Sequence, residues 1–462
     1  MDNKIATAAL TVALGTGADF AELYVQSKIS RVVEVNYRRV DDVSERLTFG
    51  AGLRLMRGTV QVYGYTSDLS EQSLVALAKR LSASFDGERV LKVGKFKELV
   101  GKSNPPKVEH SAKSIEDKIE YLKRGEQAMY AVSPYIVNAT AVALETDENV
   151  EIYTVTVDVC RKVTDRRVRT RIVAQPTAGR DGAFEATFYG PGFMKGAELY
   201  DEIDFEKEAA HVAEVAVKLL DAPECPSGKM PVVIGNAFGG VLFHEACGHP
   251  LEGTAISHGS SPFADKLGQK IASDVVTAID DGTVEYGWGS ESFDDEGEKP
   301  TKNVLIKDGV LTAFMMDEFN GRRMGSKSTG ACRRESFRYM PTTRMTNTYI
   351  AAGKSTPEEI IAATEYGVYC VSFAGGSVNP ATDKFNFTSS ETYIIRNGKI
   401  CELVKSPALV GFGYEVLMNI DMVANDLELS AGTCGAASGM IPTSVGQPTL
   451  RVREMTVGGK AD

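Results

Sequence analysis

The stretch from 222 to 231, Ala-Pro-Glu-Cys-Pro-Ser-Gly-Lys-Met-Pro, is the feature that most constrains the fold of this chain. Its three prolines and one glycine are typical of a linker or of a rigid entry into a new domain. Before it, strand-like and helix-like patterns alternate, whereas after it strands and turns dominate. We therefore expect an α+β protein. It has an N-terminal two-layer α/β domain over 1–222, with a hint of internal duplication, and a β-rich C-terminal domain over 231–462.

Capping residues and apolar spacing predict the main helices. One follows Ser70, one begins after the N-cap Ser114, and a long one covers about Asp204 to Leu220. In the second half, Thr356 as N-cap and Pro357 at the first helical position predict one clear helix. Short strands are predicted in the first half at Ala21–Val25, Val32–Val35, Gly50–Leu55, Val60–Tyr65, Ala141–Leu144, Ile152–Val159, Arg167–Val173 and Phe184–Phe188.

Composition excludes several classes of protein. With 51 basic and 62 acidic residues the formal charge is −11, which argues against direct nucleic-acid binding, since that needs a basic surface. The seven cysteines show no CxxC pair, so a secreted disulfide scaffold is excluded and a cytoplasmic location is expected. No apolar stretch reaches the roughly 18 residues that a membrane span needs, so we expect no membrane association.

The candidate chemistry centres on His244-Glu245-Ala246-Cys247-Gly248-His249. Two imidazoles beside a carboxylate suggest a zinc hydrolase, with the histidines as ligands and Glu245 as general base. On a regular α-helix, however, residues five apart point about 140° away from each other. Both can reach one metal only if the helix contains a π-bulge or ends between them. The alternative is a capped helix end with two incidental histidines.

A third ligand has to come from elsewhere in the chain. Cys434, between glycines in Gly432-Thr433-Cys434-Gly435, matches best in composition, because such a cysteine suits a close-approach loop. Two histidines and one cysteine would leave the fourth zinc position for water. Two other interpretations remain open for Cys434: a small buried thiol in a turn, or a nucleophile with a histidine base.

Several ordered motifs resemble the TldD/PmbA family of metallopeptidases, also described as modulators of DNA gyrase. They are the six residues from His244 to His249, Leu251-Glu252-Gly253, Arg333-Arg334-Glu335-Ser336, Pro341, Arg344-Met345-Thr346-Asn347-Thr348-Tyr349, Gly375-Gly376, Asn379-Pro380 and Gly446-Gln447-Pro448-Thr449-Leu450. The similarity extends over essentially the whole chain and is weaker in the N-terminal half.

This resemblance implies a zinc-dependent peptidase. It would hydrolyse small or unfolded peptides, with His244, His249 and Cys434 as metal ligands and Glu245 as the catalytic carboxylate. Family members pair two similar subunits, so a dimer is implied, either a homodimer or a heterodimer with a PmbA/TldE-like subunit. The alternative function is a non-catalytic regulatory or peptide-binding partner in such a complex, although the intact Glu245 counts against it.

The chain departs from the family pattern at three places. Gly330-Ala331-Cys332 replaces the usual Gly-Asn-Gly, Thr254 replaces an acidic residue, and Ala436-Ala437-Ser438-Gly439-Met440 replaces the usual lysine and Gly-Gln after the cysteine. None of these changes removes a proposed ligand, but they leave the substrate preference open.

Other polar residues have simpler interpretations. His110, His211 and His258 are predicted at the surface, and His258 lies in a Gly/Ser-rich loop that could approach substrate. The alternating Arg167, Arg169 and Arg171 predict an exposed basic strand face.

Two further groups have competing interpretations. The acidic run Asp294-Asp295-Glu296 favours a solvated turn over a second, oxygen-ligated metal site. For Arg344 and Asn347, binding of the substrate backbone or an oxyanion and a structural role in a turn are equally supported.

Overall fold

The fold is known from a computed structural model, which describes residues 1–379 and 384–458. Pro380, which belongs to one of the motifs above, lies outside the described residues, as do the last four residues of the predicted C-terminal domain. The helices are α1 (Asn3–Ala13), α2 (Glu71–Ser82), α3 (Ile115–Val132), α4 (Leu199–Glu202), α5 (Phe205–Leu219), α6 (Val241–Phe243), α7 (Gly253–Ser257), α8 (Glu318–Met324), α9 (Pro357–Ala362) and α10 (Gly413–Asn419).

Eight strands of the first half form one mixed sheet in the order β3-β2-β1-β5-β6-β4, with β7 and β8 also paired to β6. Their bounds are β1 (Phe20–Asn36), β2 (Arg39–Arg57), β3 (Val60–Thr66), β4 (Lys97–Val100), β5 (Ile136–Val155), β6 (Cys160–Arg180), β7 (Ala183–Ala186) and β8 (Gly192–Phe193).

Most of the predicted short strands of this half are wrong in length, whereas Val60–Tyr65 matches β3 to within one residue. Ala21–Val25 and Val32–Val35 are both parts of the single strand β1. The polar residues between them do not interrupt it, because β1 is paired along its whole length with β2 and, from Ala21 onwards, with β5. A ladder on both sides satisfies the backbone regardless of side-chain polarity, which a pattern of apolar residues does not reveal.

Helices cover one face of this sheet. Leu23 and Val25 pack with α1 and α2, whereas Val33 and Val35 pack with α3 and α5. These residues are an even number of positions apart, so they point to the same face of β1. The predicted helices are confirmed, and α3 begins with a capping box between Ser114 and Asp117. The α+β class with a two-layer first half is thus confirmed.

The second half is built from two larger sheets and a short hairpin. Its strands are β9 (Gly228–Ile234), β10 (Ala278–Asp281), β11 (Lys302–Lys307), β12 (Val310–Leu311), β13 (Cys332–Arg333), β14 (Thr342–Thr343), β15 (Asn347–Ile350), β16 (Tyr366–Asn379), β17 (Lys384–Arg396), β18 (Lys399–Val404), β19 (Ala408–Phe412), β20 (Ile420–Val423), β21 (Glu428–Ala436), β22 (Gly439–Gln447) and β23 (Leu450–Gly458).

One of these sheets has the order β12-β11-β10-β15-β22-β21. In the other, β16, β9, β23, β19 and β17 pair in a closed ring, and the main apolar core packs between these elements. The second half is therefore β-rich, as expected. Residues 222–231 lie between α5 and β9. The domain division there, like the internal duplication, stays a prediction.

The other face of the N-terminal sheet packs against the second half through a layer of buried ion pairs. Arg167 and Arg169, predicted on an exposed face, are each only 2% exposed. Arg167 pairs with Asp295 at 2.8 Å, and both arginines pair with Glu291. The prediction was wrong because the acidic surface that covers this strand comes from more than a hundred residues further along the chain.

The run Asp294–Glu296 belongs to the same layer, so the predicted solvated turn is also wrong. All three residues are buried. Asp294 accepts hydrogen bonds from backbone N–H groups that include that of Cys332, and Glu296 pairs with Arg54 of β2. The acidic residues of this run thus order the loop and neutralise arginines, instead of facing water.

In the part of the chain that the structure describes, no helix is both long and apolar enough to cross a lipid bilayer.

Candidate metal centre

The segment that carries both histidines is held tightly against a strand of the six-stranded sheet. After β9 the chain makes a 3₁₀ turn, Ala237–Gly240, and continues into α6. A Cβ built on Gly240 would lie 2.4 Å from backbone atoms of Gly446 in β22. Only glycine permits this approach. The helix that leads to His244 is therefore fixed in place by backbone packing.

The helix then widens to a π-helix over His244–Gly248. The backbone N–H of His249 donates to the carbonyl oxygen of His244, five residues earlier, which is the hydrogen bond that defines a π turn. The two imidazole rings consequently lie on the same side, with their centroids 5.0 Å apart. The expected distortion is confirmed, in its π-bulge form.

Gly248 is required for packing, not for an unusual backbone. Its φ of −56° is ordinary, but an added Cβ would lie 2.3 Å from the Met345 sulfur. Pro250 follows in a 3₁₀ turn, His249–Leu251, that ends the helix just beyond the second histidine. The sequence around the histidines therefore allows one wide turn and then stops the helix.

Cys434 joins the two histidines from the edge strand β21. Its sulfur lies 3.3 Å from Nε2 of His244 and 3.3 Å from Nε2 of His249. Nitrogen and sulfur ligands at about 2.0 and 2.3 Å from one tetrahedral ion lie about 3.5 Å apart, so this separation fits a shared metal ion. The structure thus brings together all three predicted ligands, although Cys434 lies 185 and 190 residues from the two histidines in the chain.

Each of the three side chains is oriented by a further group. Nδ1 of His244 lies 3.3 Å from Oγ1 of Thr348, and Nδ1 of His249 lies 3.2 Å from Oε2 of Glu252. These contacts leave both Nε2 atoms directed at the Cys434 sulfur. Arg344 donates to the Cys434 carbonyl oxygen at 2.7 Å, which fixes the strand that carries the thiol.

Glu245 lies beside this group at the border of solvent. Its side chain is 23% exposed, and its Oε2 is 4.0 Å from Nε2 of His249. Burial raises the pKa of Glu245, the nearby His249 opposes the shift, and Glu252 adds to it. A carboxylate with a raised pKa, accessible to water and next to the candidate metal ligands, suits proton transfer.

The electrostatics of the two imidazoles differ. Burial, with smaller contributions from His249 and Arg344, lowers the pKa of His244 far below its usual value, so the ring is neutral and can bind a metal. Burial also disfavours the charged form of His249, but the Glu252 carboxylate and Cys434 outweigh it and raise its pKa. In the neutral ring, the contact of Glu252 with Nδ1 favours the tautomer that carries its proton on that atom.

Comparison with known proteins agrees with this geometry. Residues 227–459 match the model for the PmbA/TldA metallopeptidase C-terminal domain, and residues 21–84 match the model for PmbA/TldA metallopeptidase domain 1. A metalloprotease TldD homolog of Buchnera aphidicola is 33% identical over 459 residues, covering 96% of this chain and 93% of the relative. The chain belongs to the PmbA/TldD metallopeptidase family. It is therefore a metallopeptidase, a hydrolase that depends on a metal ion.

Two other comparisons extend this result. A zinc metalloprotease TldD homolog of Saccharolobus solfataricus is 28% identical over 263 residues, covering 56% of this chain and 58% of the relative. The structure of TldE from Thermococcus kodakarensis superposes with a TM-score of 0.75 at 17% identity, covering 99% of both chains. The latter likeness establishes the shared PmbA/TldD fold.

Sequence reasoning missed the residues that orient the ligands. Thr348 and Met345 were noted only as parts of a family motif, and Glu252 only as part of Leu251-Glu252-Gly253. A usable signal existed for Glu252, because it follows His249 by three residues and can reach the ring from the next turn. Thr348 has no such signal, since it lies 104 residues from His244.

The open question on Arg344 and Asn347 resolves to structural roles in this PmbA/TldD family member. Both side chains are 0% exposed. Besides Cys434, Arg344 donates to Ser438 and Gly439 in the turn after β21. Asn347 donates to the Asp281 carbonyl and to a serine hydroxyl. Neither side chain is free to bind substrate.

Of the three remaining histidines, two lie at the surface as predicted and one does not. His211 and His258 are exposed, as predicted. His110 is 4% exposed, so its predicted surface position is wrong. Its Nε2 lies 2.8 Å from Oγ1 of Thr170, and burial lowers the pKa of His110. The strand that buries it lies 60 residues further along, which the local sequence does not indicate.

Proposed function

We propose that the chain is a zinc peptidase that hydrolyses peptide bonds in small or unfolded peptides, with Glu245 as general base. The convergence of His244, His249 and Cys434 within 4.8 Å carries this proposal. Two imidazoles and a thiolate form a donor set that zinc prefers, and three protein ligands leave one position for water or substrate. The relative from Saccharolobus solfataricus, named a zinc metalloprotease, supports the choice of zinc.

A bound zinc ion would supply Lewis acidity and lower the pKa of a water molecule to about 7. Glu245 then accepts the proton of the attacking water on its carboxylate and delivers it to the leaving amine. Thr348 and Glu252 contact Nδ1 of His244 and His249, which favours a ring proton at Nδ1 and directs each Nε2 toward the ion. Arg344 holds the backbone of Cys434, so the thiolate position does not change during the reaction.

The variant Glu245→Gln separates metal binding from proton transfer. We expect it to retain the metal, measured by elemental analysis, and to lose peptidase activity by about 10²- to 10⁴-fold. The assay uses a fluorogenic peptide library and a permanently unfolded protein, with the exposed Glu285→Gln as matched control. Full activity of Glu245→Gln would reject the general base. If the unsubstituted chain with zinc bound a peptide and did not cleave it, a regulatory peptide-binding function would be favoured instead.

We further propose that the protein acts in the cytoplasm as a dimer, with a second copy or with a TldE-like subunit. The seven free cysteines support a reducing compartment, and the fold shared with TldE supports a pairing of two similar subunits. Light scattering on the purified chain, alone and mixed with a TldE-like protein of the same cell, tests the assembly. A monomer under both conditions would contradict it.

A further inference from the structure

Three arginines alternate along β6 and face the second half of the protein, but only two of them have acidic partners. Arg167 pairs with Asp165, Glu291 and Asp295, and Arg169 pairs with Glu291. Within residues 1–379 and 384–458, no carboxylate lies within ion-pair distance of Arg171. The third guanidinium of the row is therefore not neutralised by the protein.

The contacts of Arg171 leave part of its guanidinium available. Nε donates to the Gly190 carbonyl oxygen at 3.1 Å, and Nη2 donates to the Ala431 carbonyl oxygen at 3.3 Å. Nη1 has no hydrogen-bond partner among the described residues. Burial lowers the pKa of Arg171 without an opposing carboxylate, yet a guanidinium stays charged in proteins. A partly buried, uncompensated charge of this kind favours an anionic ligand.

Arg171 lines a groove of about 630 Å³ between the two halves of the molecule. Its walls include the aromatic rings of Phe188, Phe193, Phe238 and Phe373. Among the residues that the structure describes, the only other basic residue that lines the groove is Lys195, and its amine already pairs with Glu202. Glu428 also lines the groove, where its carboxylate accepts a hydrogen bond from Asn236 at 3.3 Å. The groove thus combines apolar walls and one available guanidinium, which is typical of a site that orients a ligand.

One wall of this groove is β21, the strand that carries Cys434. The lining reaches Thr433, directly before that cysteine. Arg171 contacts Ala431, three residues before Cys434, which corresponds to about 10 Å along an extended strand. Arg171 therefore lies about three strand positions from the cysteine of the candidate metal centre, so that one bound peptide of a few residues could reach both.

We propose that this groove is a substrate site in which Arg171 binds a carboxylate of the peptide, about three residues from the bond that is cut. The carboxylate belongs either to the C-terminus of the substrate or to an acidic side chain. This inference rests on the proposed peptidase function. It adds a preference for peptides with an acidic group at a fixed distance from the cleavage point.

Binding is measured on the full chain with the Glu245→Gln substitution, so that no cleavage is needed. The probes are fluorescein-labelled decapeptides of alanine, glycine and serine that differ only in one Glu or Gln, or in a free or amidated C-terminus. Fluorescence anisotropy should show about tenfold tighter binding of the carboxylate form. Arg171→Gln should abolish this difference, Arg171→Lys should restore part of it, and Arg80→Gln on the opposite face of the sheet should keep it.

The cleavage position provides the second measurement. Mass spectrometry of products from the unsubstituted chain should place the cut about three residues from the carboxylate. The proposal is overturned if the Glu245→Gln chain binds the Glu and Gln peptides equally, and the free and amidated peptides equally. This outcome needs no Arg171 variant. A carboxylate preference that survives in Arg171→Gln, or no binding at millimolar protein, also overturns the proposal. A preference without cleavage would keep this site and reject the peptidase function instead.

Discussion

Within residues 1–379 and 384–458, two groups of metal-binding residue types lie in the second half of the protein, and all of their members except the half-buried His249 are buried. One, the histidine group, consists of His244, His249 and Cys434; the other, the carboxylate group, consists of Glu296, Asp317 and Cys332. In each group the donor atoms lie within 4.8 Å of one another. In the histidine group, the two Nε2 atoms and the sulfur are hydrogen-bonded only to each other among the described residues.

Both carboxylates of the carboxylate group already have partners. The Arg54 guanidinium contacts one oxygen of Glu296, and the backbone N–H of Glu318 donates to the other at 2.9 Å. Asp317 accepts from the Asn320 N–H and the Thr343 hydroxyl. The Arg54 guanidinium therefore supplies the positive charge that a metal ion would otherwise supply at this group. Convergent donors indicate a metal site only where their lone pairs remain available.

The largest expected difference between the two groups is in metal content. Cys434→Ser should lower zinc affinity and peptidase activity by more than about 100-fold, because loss of even an outer partner of a ligand costs about 10- to 100-fold. Cys332→Ser should retain both. Elemental analysis gives the zinc content, and cobalt substitution gives a thiolate charge-transfer band that only Cys434→Ser should lose. Loss of that band in Cys332→Ser would remove the distinction.

Removal of the Arg54 guanidinium should act on stability instead of metal binding. Arg54→Met leaves Glu296 buried without its cation and Glu22 with Arg334 alone, so we expect the free energy of unfolding to fall by about 3–5 kcal/mol. Urea denaturation measures this. Arg57→Met, on the same strand but exposed, should cost less than about 1 kcal/mol. A similar cost for both variants would show that the carboxylate group does not need its arginine.

A smaller effect is expected from the groups that orient the histidines. Thr348→Val removes the hydroxyl at Nδ1 of His244 and should weaken zinc binding about 10- to 100-fold, without loss of folded protein. Competition with a chelator of known affinity measures the change. Thr7→Val, whose hydroxyl bonds within α1, is the control and should bind zinc like the parent chain. Unchanged affinity in Thr348→Val would show that packing alone orients the ring.

The smallest effect concerns thiol reactivity after metal removal. Burial, reinforced by Glu296, raises the pKa of Cys332, which keeps it a thiol, the unreactive form. After chelation, Cys434 should react with iodoacetamide at least about tenfold faster than Cys332, as mapped by peptide mass spectrometry. Exposed Cys401 should label in either state and serves as the internal reference. Equal rates for Cys332 and Cys434 would contradict the comparison.

Local patterns predicted much of the metal centre. The five-residue offset of His244 and His249 requires a distorted helix, and the π turn supplies it. The glycines around Cys434 indicated a position where the thiol approaches other elements, but the predicted loop is wrong, because Cys434 lies in the strand β21. Caps such as Ser114 gave the starts of helices, because capping depends on residues within one turn.

Features that depend on distant parts of the chain could not be predicted. The row from Arg167 to Arg171 looks like an exposed strand face, because the alternation is identical whether water or another layer of protein covers it. The same holds for His110, whose partner Thr170 lies 60 residues further along, and for Asp294, which accepts from the backbone N–H of Cys332, 38 residues further along. Sequence periodicity gives the two faces of an element, but not what packs against each face.

The long separation between Cys434 and the histidine pair has a further consequence. An ion bound to all three residues cross-links positions 185 to 190 residues apart, much as a disulfide would. In the chain-entropy view, closing a loop of about this length removes roughly 5 kcal/mol of freedom from the unfolded chain. A bound metal ion would then stabilise the second half of the protein against unfolding. A cell short of zinc would therefore lose this protein to proteolysis, in addition to losing its activity.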